Sequence, residues 1–265
     1  MTVKPTTFIA RTMRFARVAL HLISGVAIVA LVFPFLNSTR RAHFVRRWSA
    51  RLLDVLAVRI KFVGTPPAAA MPAMIVSNHV SWLDIFAINA VRTVRFVGKA
   101  DIRRWPVAGW MCEQVGTLFI DRTRPHEIAR INRQVEAALR EGDTFAVFPE
   151  GTTTTGNVLL PFHSALLQPA LACDAQLYPL AIRYTRADGS LCSEADYDGD
   201  KSFVDTLKLM LTQPVINVRL QFLAPLACEA KDRRELAQNA AAAIARALNL
   251  ADPCSRAETA SGRRA

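Results

Sequence analysis

The sequence has few cysteines, and no two of them stand close enough to form a CxxC pair. Five are scattered over the 265 residues, and an odd, unclustered set indicates neither a disulfide framework nor a zinc ribbon, but a chain suited to a reducing compartment. Charged residues are also scarce, at 21%, while 51% of the residues are hydrophobic. This balance excludes a disordered chain, and the length suits one sizeable domain with an extra element.

Acidic residues are almost absent from the first quarter of the chain. Residues 1–61 contain 11 of the 33 basic residues and a single acidic one, Asp54, whereas the other 204 residues contain 22 basic and 21 acidic residues. The net charge of +11 therefore belongs to one N-terminal element. Aromatic residues do not alternate with these basic residues as a base-stacking surface requires, and no recognition motif is present, which argues against a nucleic-acid partner.

The same element contains an uncharged run over residues 18–36, which follows Arg11, Arg14 and Arg17. A helix of that length extends roughly 28 Å, close to the hydrocarbon thickness of a bilayer. No small-residue cleavage site follows the run, which disfavours a signal peptide. Asn37-Ser38-Thr39 is then typical of a turn and helix cap, so a second helix is expected to follow.

Two helices with basic residues at both flanks predict a hairpin, residues 1–57, that lies in one leaflet of a membrane. In the second helix one stripe is apolar, and the charged residues lie largely on the other side. The members of the stripe are Phe44, Trp48, Leu52, Val55 and Leu56. A single transmembrane span and a buried core helix of a soluble protein are the alternatives, and the positive-inside rule gives no orientation because both flanks are basic.

From residue 58 onward, short runs rich in Val, Ile and Phe alternate with longer helical stretches. This alternation predicts an α/β fold over residues 58–250, with a mostly parallel sheet flanked by helices, and a flexible tail at 251–265. In such a sheet the ligand site lies beyond the carboxyl ends of the strands. The predicted strands are residues 59–63, 74–77, 94–98, 117–121, 144–148, 177–184 and 215–222. The predicted helices are residues 81–90, 106–114, 125–141, 163–173, 203–211 and 231–248.

The second predicted strand leads directly into Asn78-His79-Val80-Ser81-Trp82-Leu83-Asp84. If Ser81 caps the following helix, His79 lies in the loop before it and can fold back over the first turn to donate a ring N–H to the Asp84 carboxylate. The other ring nitrogen is then a free base with a fixed tautomer. The alternative is structural, because Ser81-x-x-Asp84 also resembles a capping box, with His79 as an ordinary turn residue.

Three more predicted strands end in groups that could serve the same site. Lys99 follows the third strand, Arg122 the fourth, and Glu150-Gly151-Thr152 the fifth. An arginine at such a position can bind a phosphate or carboxylate with two hydrogen bonds, and Gly151 lets backbone N–H groups approach a substrate. Singly, each has a plain alternative, namely an exposed ion pair for Arg122 and an ordinary turn with an exposed acid for Glu150. Together at one sheet edge, a base, an anion clamp and a carboxylate predict an enzyme site.

Other kinds of catalytic site find less support in the residues. The chain has no GxSxG nucleophile elbow, and no cysteine adjoins His79, so no covalent intermediate is expected. The His-x4-Asp pair also lacks a third metal ligand at a familiar spacing. The sequence therefore predicts a general base that works with neither a metal nor a cofactor.

Four segments in order, Asn78-His79-x-Ser81-x-x-Asp84, residues 116–122, residues 148–152 and Tyr178-Pro179-Leu180, resemble the four motifs of the glycerolipid acyltransferases. The nearest resemblance is to the 1-acylglycerol-3-phosphate acyltransferases of phospholipid synthesis, and it covers roughly residues 58–225. It implies acyl transfer from acyl-CoA or acyl-ACP, as co-substrate, to the hydroxyl of a lysolipid. It also implies an N-terminal two-helix membrane motif, contact with membrane lipids, and a place at the cytoplasmic face of a bacterial inner membrane.

The resemblance also implies a role for each residue at the predicted sheet edge. His79 is the catalytic base and Asp84 its partner in an HX4D motif. Arg122, with Lys99, binds the anionic head of the acceptor, and the loop at 150–152 shapes the acceptor site.

Two segments depart from the pattern of the family. The third motif often continues with Arg-Ser where this chain has Thr153-Thr154-Thr155, and a lysine is common where His163 stands. Two phosphate-binding cations are therefore missing, in a form that resembles a bacterial branch acting on lyso-ornithine lipids and other lysolipids. The expected acceptor is 1-acyl-sn-glycerol-3-phosphate, which gives phosphatidic acid, and lyso-ornithine lipid is the alternative. A catalytically silent membrane-binding protein and a thioesterase are the remaining hypotheses.

Overall fold

The structure is a computed structural model that describes residues 6–68, 71–121, 123–199, 201–228 and 232–253. Within these ranges seven strands form one sheet: β1 (Val58–Val63), β2 (Ala73–Ser77), β3 (Arg95–Lys99), β4 (Leu118–Ile120), β5 (Thr144–Val147), β6 (Gln176–Arg186) and β7 (Ile216–Phe222). The α-helices are α1 (Phe8–Leu31), α2 (Ser38–Val55), α3 (Leu83–Val91), α4 (Ala108–Gln114), α5 (Pro125–Arg140), α6 (Gln168–Ala172), α7 (Phe203–Thr212) and α8 (Arg233–Leu248). Most of the predicted tail lies outside the described residues.

The strands lie side by side in the order β1-β7-β6-β2-β5-β3-β4. From β6 to β4 all neighbours are parallel, whereas β7 is antiparallel to β6, and β1 is parallel to β7. The predicted α/β fold with a mostly parallel sheet is therefore confirmed. Because β2, β3, β4 and β5 run the same way, the loops that follow them meet at one edge of the sheet.

In the central strands the side chains alternate between two helical layers, as the twofold alternation of a strand requires. In β2, Ile75 packs into a core that also contains residues of α1, α2, α3 and α7. Its neighbours Met74 and Val76 pack into a second core with residues of α5, α6 and α8. All three side chains are fully buried. The sheet thus lies between two layers of helices. The edge at the carboxyl ends of its parallel strands remains available for a site.

Four predicted helices differ from the observed ones at their beginnings. The helices predicted to start at 81 and 231 start at Leu83 and Arg233, and the other two differ because of a single residue each. The helix predicted at 163–173 is a 3-10 turn, Ser164–Leu167, followed by α6, in which Pro169 occupies the first turn. Proline has no N–H to donate and fits only the start of an α-helix, so the α-helical part begins beside it. The helix predicted at 106–114 begins at Ala108, because Val107 has a left-handed φ of 63° that no α-helix contains.

The first helix begins before the uncharged run that predicted it. Thr7 caps α1, which starts at Phe8 and so includes the three arginines, and α1 ends at Leu31, just before a 3-10 turn that contains Pro34. Asn37 then caps α2 by accepting a hydrogen bond from the backbone N–H of Arg40. The two helices predicted for the N-terminal segment are therefore present, with a short turn between them.

One face of α1 is fastened to the rest of the protein. The His21 ring stacks on the Trp48 indole of α2 at 4.6 Å between centroids, and Gly25 lies so close that a Cβ there would be 2.8 Å from that indole. Towards the start of the helix, the Arg14 guanidinium donates to the carbonyl oxygen of Gln213, after α7, at 2.8 Å. These contacts run along most of the length of α1.

The opposite face of α1 is apolar and exposed. It carries Ile9, Met13, Leu20, Ile23 and Leu31, each at least 62% exposed. Among the described residues α1 is the one helix long and apolar enough to cross a membrane, and only 17% of its most apolar window is buried. Such a stripe on a largely exposed helix is typical of a surface that meets lipid.

The apolar stripe of α2 points in the other direction, into the protein. Leu52, Leu53 and Leu56 are at most 1% exposed and lie in the same core as Ile75 of the central strand. Since α2 supplies part of the core of the sheet, the predicted hairpin is packed into the α/β body through its second helix.

The contact between α1 and α2 leads to a stability prediction. Replacing Gly25 with valine places side-chain atoms against the Trp48 ring, so we expect Gly25→Val to lower the free energy of unfolding by about 1–3 kcal/mol. Ala27→Val places a valine on the exposed face of the same helix and should change the free energy of unfolding by less than about 0.5 kcal/mol. Denaturant unfolding in detergent measures both, and equal effects of the two variants would contradict this packing.

Candidate active site

The loop after β2 is held in place by its first residue. The Asn78 side-chain amide donates to the carbonyl oxygen of Ile182 at 3.0 Å and accepts from the backbone N–H of the same residue at 2.8 Å. It therefore continues the pairing of β2 with β6 after the backbone of β2 has turned away. Asn78 is only 2% exposed, and such a buried, doubly bonded amide leaves the next residue little freedom.

The next residue, His79, lies beside the carboxylate of Asp84 in the first turn of α3. The Nδ1 of His79 and the Oδ2 of Asp84 are 2.8 Å apart. The same Oδ2 accepts from the backbone N–H groups of Val80 at 2.8 Å and Ser81 at 3.0 Å. The loop thus folds back over the helix start, and residues five apart in the sequence meet.

The start of α3 differs from the predicted cap. Trp82 is the N-cap residue, and the buried hydroxyl of Ser81 has no hydrogen-bond partner among the described residues. Asp84 supplies the capping interaction instead, through its bonds to the loop amides. The carboxylate therefore stabilises the turn and orients the histidine at the same time.

The His79 ring is fixed on its face as well as at Nδ1. It stacks on the Phe148 ring at 4.0 Å with an angle of 13° between the planes, and 21% of its side chain is exposed. A carboxylate that accepts the Nδ1 proton leaves the lone pair on Nε2, and no described residue bonds Nε2. An oriented imidazole with one accessible basic nitrogen is suited to removing a proton from a bound hydroxyl.

Glu150 reaches this loop from the end of β5. Its Oε1 accepts from the backbone N–H of His79 at 2.7 Å, and its Oε2 accepts from that of Leu160 at 2.9 Å. The side chain is 4% exposed. Burial and the nearby charge of Asp84 raise the pKa of Glu150 to about 7, although the two amide bonds act in the other direction.

The residues after Glu150 form a tight turn at the open side of the site. The N–H of Gly151 donates to the carbonyl oxygen of Phe148 at 3.2 Å, and Gly151 has a φ of +82°, which glycine adopts without a Cβ clash. Gly151 and Thr152 are both exposed. Further on, the backbone N–H of Thr154 donates to the carbonyl oxygen of His79 at 2.8 Å, so this loop and the His79 loop are bonded to each other.

Of the two predicted cations, Lys99 and Arg122, only Lys99 lies among the described residues. Lys99 ends β3, which is two strands from β2 and hence roughly 10 Å away by strand spacing. Its ammonium lies 2.9 Å from a carboxylate oxygen of Asp101, with the lysine side chain 75% exposed. Arg122 lies outside the described residues.

One side chain beside the His79–Asp84 pair is not among the site residues predicted from the sequence. The hydroxyl of Tyr184, on β6, donates to the Oδ1 of Asp84 at 2.7 Å. A tyrosine within an apolar strand is typical of a core position, so the sequence pattern contains no signal that separates this residue from its neighbours.

The raised pKa of Glu150 has a measurable consequence for stability. Because the folded-state pKa of about 7 exceeds the ordinary value of 4.5, the folded protein keeps a proton that the unfolded chain has lost, and stability falls as the pH rises from 4.5 to 7. The shift corresponds to about 3 kcal/mol. In Glu150→Gln we expect the free energy of unfolding to fall correspondingly less between pH 5 and pH 8.

The matched control is Glu141→Gln, which removes an exposed carboxylate and should leave the pH dependence of the wild type unchanged. Denaturant unfolding at both pH values measures the effect. If the free energy of unfolding of Glu150→Gln changes between pH 5 and pH 8 as much as that of the wild type, the burial of this carboxyl is compensated by other interactions.

Comparison with known proteins agrees with this geometry. Residues 59–183 match the acyltransferase family. The chain is 38% identical over 208 residues to the lyso-ornithine lipid O-acyltransferase of Pseudomonas aeruginosa, an alignment that covers 78% of this chain and 79% of the relative. It is 36% identical over 176 residues to the 1-acyl-sn-glycerol-3-phosphate acyltransferase of Neisseria meningitidis, covering 66% and 69%.

A solved structure shares the fold. The 1-acyl-sn-glycerophosphate acyltransferase PlsC from Thermotoga maritima superposes with a TM-score of 0.66 at 19% sequence identity, covering 90% of this chain and 96% of that chain. The resemblance seen in the sequence motifs is therefore confirmed at the level of family and fold. With His79, Asp84 and Glu150 inside the matched region, this chain belongs to the acyltransferase family and is an acyltransferase.

Proposed function

We propose that this enzyme transfers a fatty acyl chain from acyl-CoA or acyl-ACP to the free hydroxyl of a lysolipid. The observation that supports it most directly is the 2.8 Å contact between His79 Nδ1 and Asp84, which leaves Nε2 as an oriented base. The hydroxyl oxygen attacks the thioester carbonyl while Nε2 takes its proton. The C–O bond forms, the C–S bond breaks, and the imidazolium returns the proton to the leaving thiolate.

The buried carboxylate of Asp84 stabilises the imidazolium that exists between these two proton transfers. General-base catalysis of this kind contributes about 10²- to 10⁴-fold to the rate, and the rest comes from positioning of the substrates and stabilisation of the oxyanion. The reaction needs no covalent acyl-enzyme, and hence no nucleophilic side chain.

The first candidate acceptor is 1-acyl-sn-glycerol-3-phosphate, in line with the motif pattern and with the activity named for the Neisseria meningitidis relative. Lyso-ornithine lipid is the second candidate, named for the Pseudomonas aeruginosa relative. The segment 151–163 has no lysine or arginine, and the Thr153 hydroxyl donates to the carbonyl oxygen of Tyr197. A loop without cations favours a head group other than a phosphate dianion.

We also propose that α1 attaches the enzyme to the cytoplasmic face of the bacterial inner membrane. Its exposed stripe is apolar, while Arg17 of α1 and Arg46 and Arg47 of α2 are exposed and suit anionic headgroups. The opposite face is packed through Val18, Gly25 and others along the protein body. A helix fastened in this way favours a monotopic arrangement over a span, because crossing the bilayer would break those contacts.

The activity is tested with purified protein, radiolabelled acyl-CoA and acyl-ACP, and a panel of lysolipids that includes both candidate acceptors. We expect an O-acylated product, and a loss of about 10²- to 10⁴-fold in kcat in His79→Ala. His126→Ala, which removes a histidine side chain that is 73% exposed, should retain activity. Near-normal acyl transfer by His79→Ala would refute the mechanism, and thioester hydrolysis without any acylated lipid would identify a thioesterase.

Membrane attachment is tested by flotation with vesicles that contain anionic phospholipid. The double variant Leu20→Glu/Ile23→Glu places two negative charges on the exposed stripe, so we expect most of the protein to stay unbound, outside the vesicle fraction. Leu191→Glu, at a residue 40% exposed in the loop after β6, is the control that should float like the wild type. Equal flotation of the double variant would exclude α1 as the lipid-binding surface.

A further inference from the structure

Tyr184 differs from the other residues around the His79–Asp84 pair because it bonds the carboxylate oxygen of Asp84 to which His79 is not bonded. Oδ2 of Asp84 receives three donors: the Nδ1–H of His79 and the backbone N–H groups of Val80 and Ser81. Oδ1 receives the Tyr184 hydroxyl at 2.7 Å. No other hydrogen bond to Oδ1 is present among the described residues.

We propose that Tyr184 is a positioning residue of the acyl-transfer site, holding the Asp84 carboxylate in the plane in which its other oxygen faces His79. This inference rests on the proposed function of His79 as the base. Tyr184 touches no substrate, because it is 3% exposed, and it acts through the carboxylate alone.

The burial of both partners makes this hydrogen bond a strong constraint. Asp84 has no exposed surface, so each of its oxygens needs a donor from the protein. Burial and the charge of Asp84 raise the pKa of Tyr184 well above its ordinary value, so the phenol stays protonated and remains a donor. Without Tyr184, Oδ1 would be buried with no donor, and the bond from the phenol also adds to the resistance of the carboxylate to rotation about its terminal C–C bond.

The position of the hydroxyl is set by the same strand that holds the His79 loop. Ile182, two residues before Tyr184 on β6, is paired with Asn78 by two hydrogen bonds. Since side chains two apart on a strand share a face, β6 sets the position of the loop and of the phenol together. A shift of this strand relative to β2 would move both ends of the dyad.

The hydrogen bond on Oδ1 also lowers the cost of burying the Asp84 carboxylate, because it gives the second oxygen a donor. The other titratable groups that face this centre are Glu150, bonded to the backbone of His79, and Cys192, beside Tyr184. Burial raises the pKa of Cys192 to about 12, so this thiol stays neutral and Glu150 is the remaining group that titrates near neutral pH.

The test is Tyr184→Phe, which keeps the ring and removes the donor. We expect kcat to fall about 10- to 100-fold, the size of a lost hydrogen bond to a buried charge, while KM for both substrates stays within about twofold. Tyr197→Phe is the matched control, because it also removes a phenolic hydroxyl while the backbone bonds of Tyr197 stay, and it should retain the wild-type kcat. Full activity of Tyr184→Phe, or an equal rise in KM, would overturn the proposal.

A second measurement does not depend on the acceptor. Diethylpyrocarbonate labels an accessible imidazole nitrogen, and peptide mass spectrometry follows the labelling of His79 at a fixed pH. In Tyr184→Phe we expect His79 to be labelled faster, because the carboxylate holds the ring less firmly, while Tyr197→Phe should match the wild type. An inactive wild type on every lysolipid would refute the proposed function, whereas an unchanged labelling rate would refute the role of Tyr184.

If Tyr184→Phe does not fold, a weaker change keeps the test decisive. The chain has three tyrosines, so uniform 3-fluorotyrosine labelling in a Tyr178→Phe/Tyr197→Phe background alters Tyr184 alone. Fluorine makes the phenol a stronger donor, so we expect the Asp84 carboxylate to hold the ring more firmly and His79 to be labelled more slowly at the same pH. An unchanged labelling rate would contradict the inference.

Discussion

The carboxylate of Asp84 is fully buried, and the centre of this protein is arranged around the donors that it requires. A buried negative charge is costly unless it is well bonded, and here four donors come from two parts of the chain: three from the loop after β2, including the His79 ring, and one from β6. The hydrogen bond to this carboxylate also fixes the position of each donor. The helix start, the loop conformation and the orientation of the imidazole all follow from satisfying one side chain.

The sheet makes this arrangement possible by bringing distant segments to one edge. Glu150 comes 71 positions after His79 in the sequence, yet its carboxyl accepts the backbone N–H of that histidine. The parallel neighbours β2, β5 and β3 end at the same level, so loops from each can bond one another. The bond between Thr154 and the carbonyl oxygen of His79 shows the same effect, with two loops supporting each other over a site that neither could form alone.

The sequence predicts the alternation of strands and helices and the His79–Asp84 pair, because both depend on local patterns. It does not predict that β7 is antiparallel to β6, since apolar periodicity is the same in either direction. It also misplaces the cap of α3, because a serine three positions before an aspartate looks like a capping residue whether or not its hydroxyl is used. Tyr184 is invisible for a related reason, as its partner is 100 positions away. Arg122 and the roles of Lys99, Gly151 and Thr152 stay predictions.

The placement of Leu52, Leu53 and Leu56 in the central core has a practical consequence for anyone preparing this enzyme. A truncation that begins at β1, in the hope of a water-soluble catalytic fragment, would strip away side chains that cover the sheet and expose a broad apolar surface. Such a fragment should aggregate rather than dissolve. The N-terminal helices and the α/β body are one folding unit, so they have to be prepared together in one polypeptide.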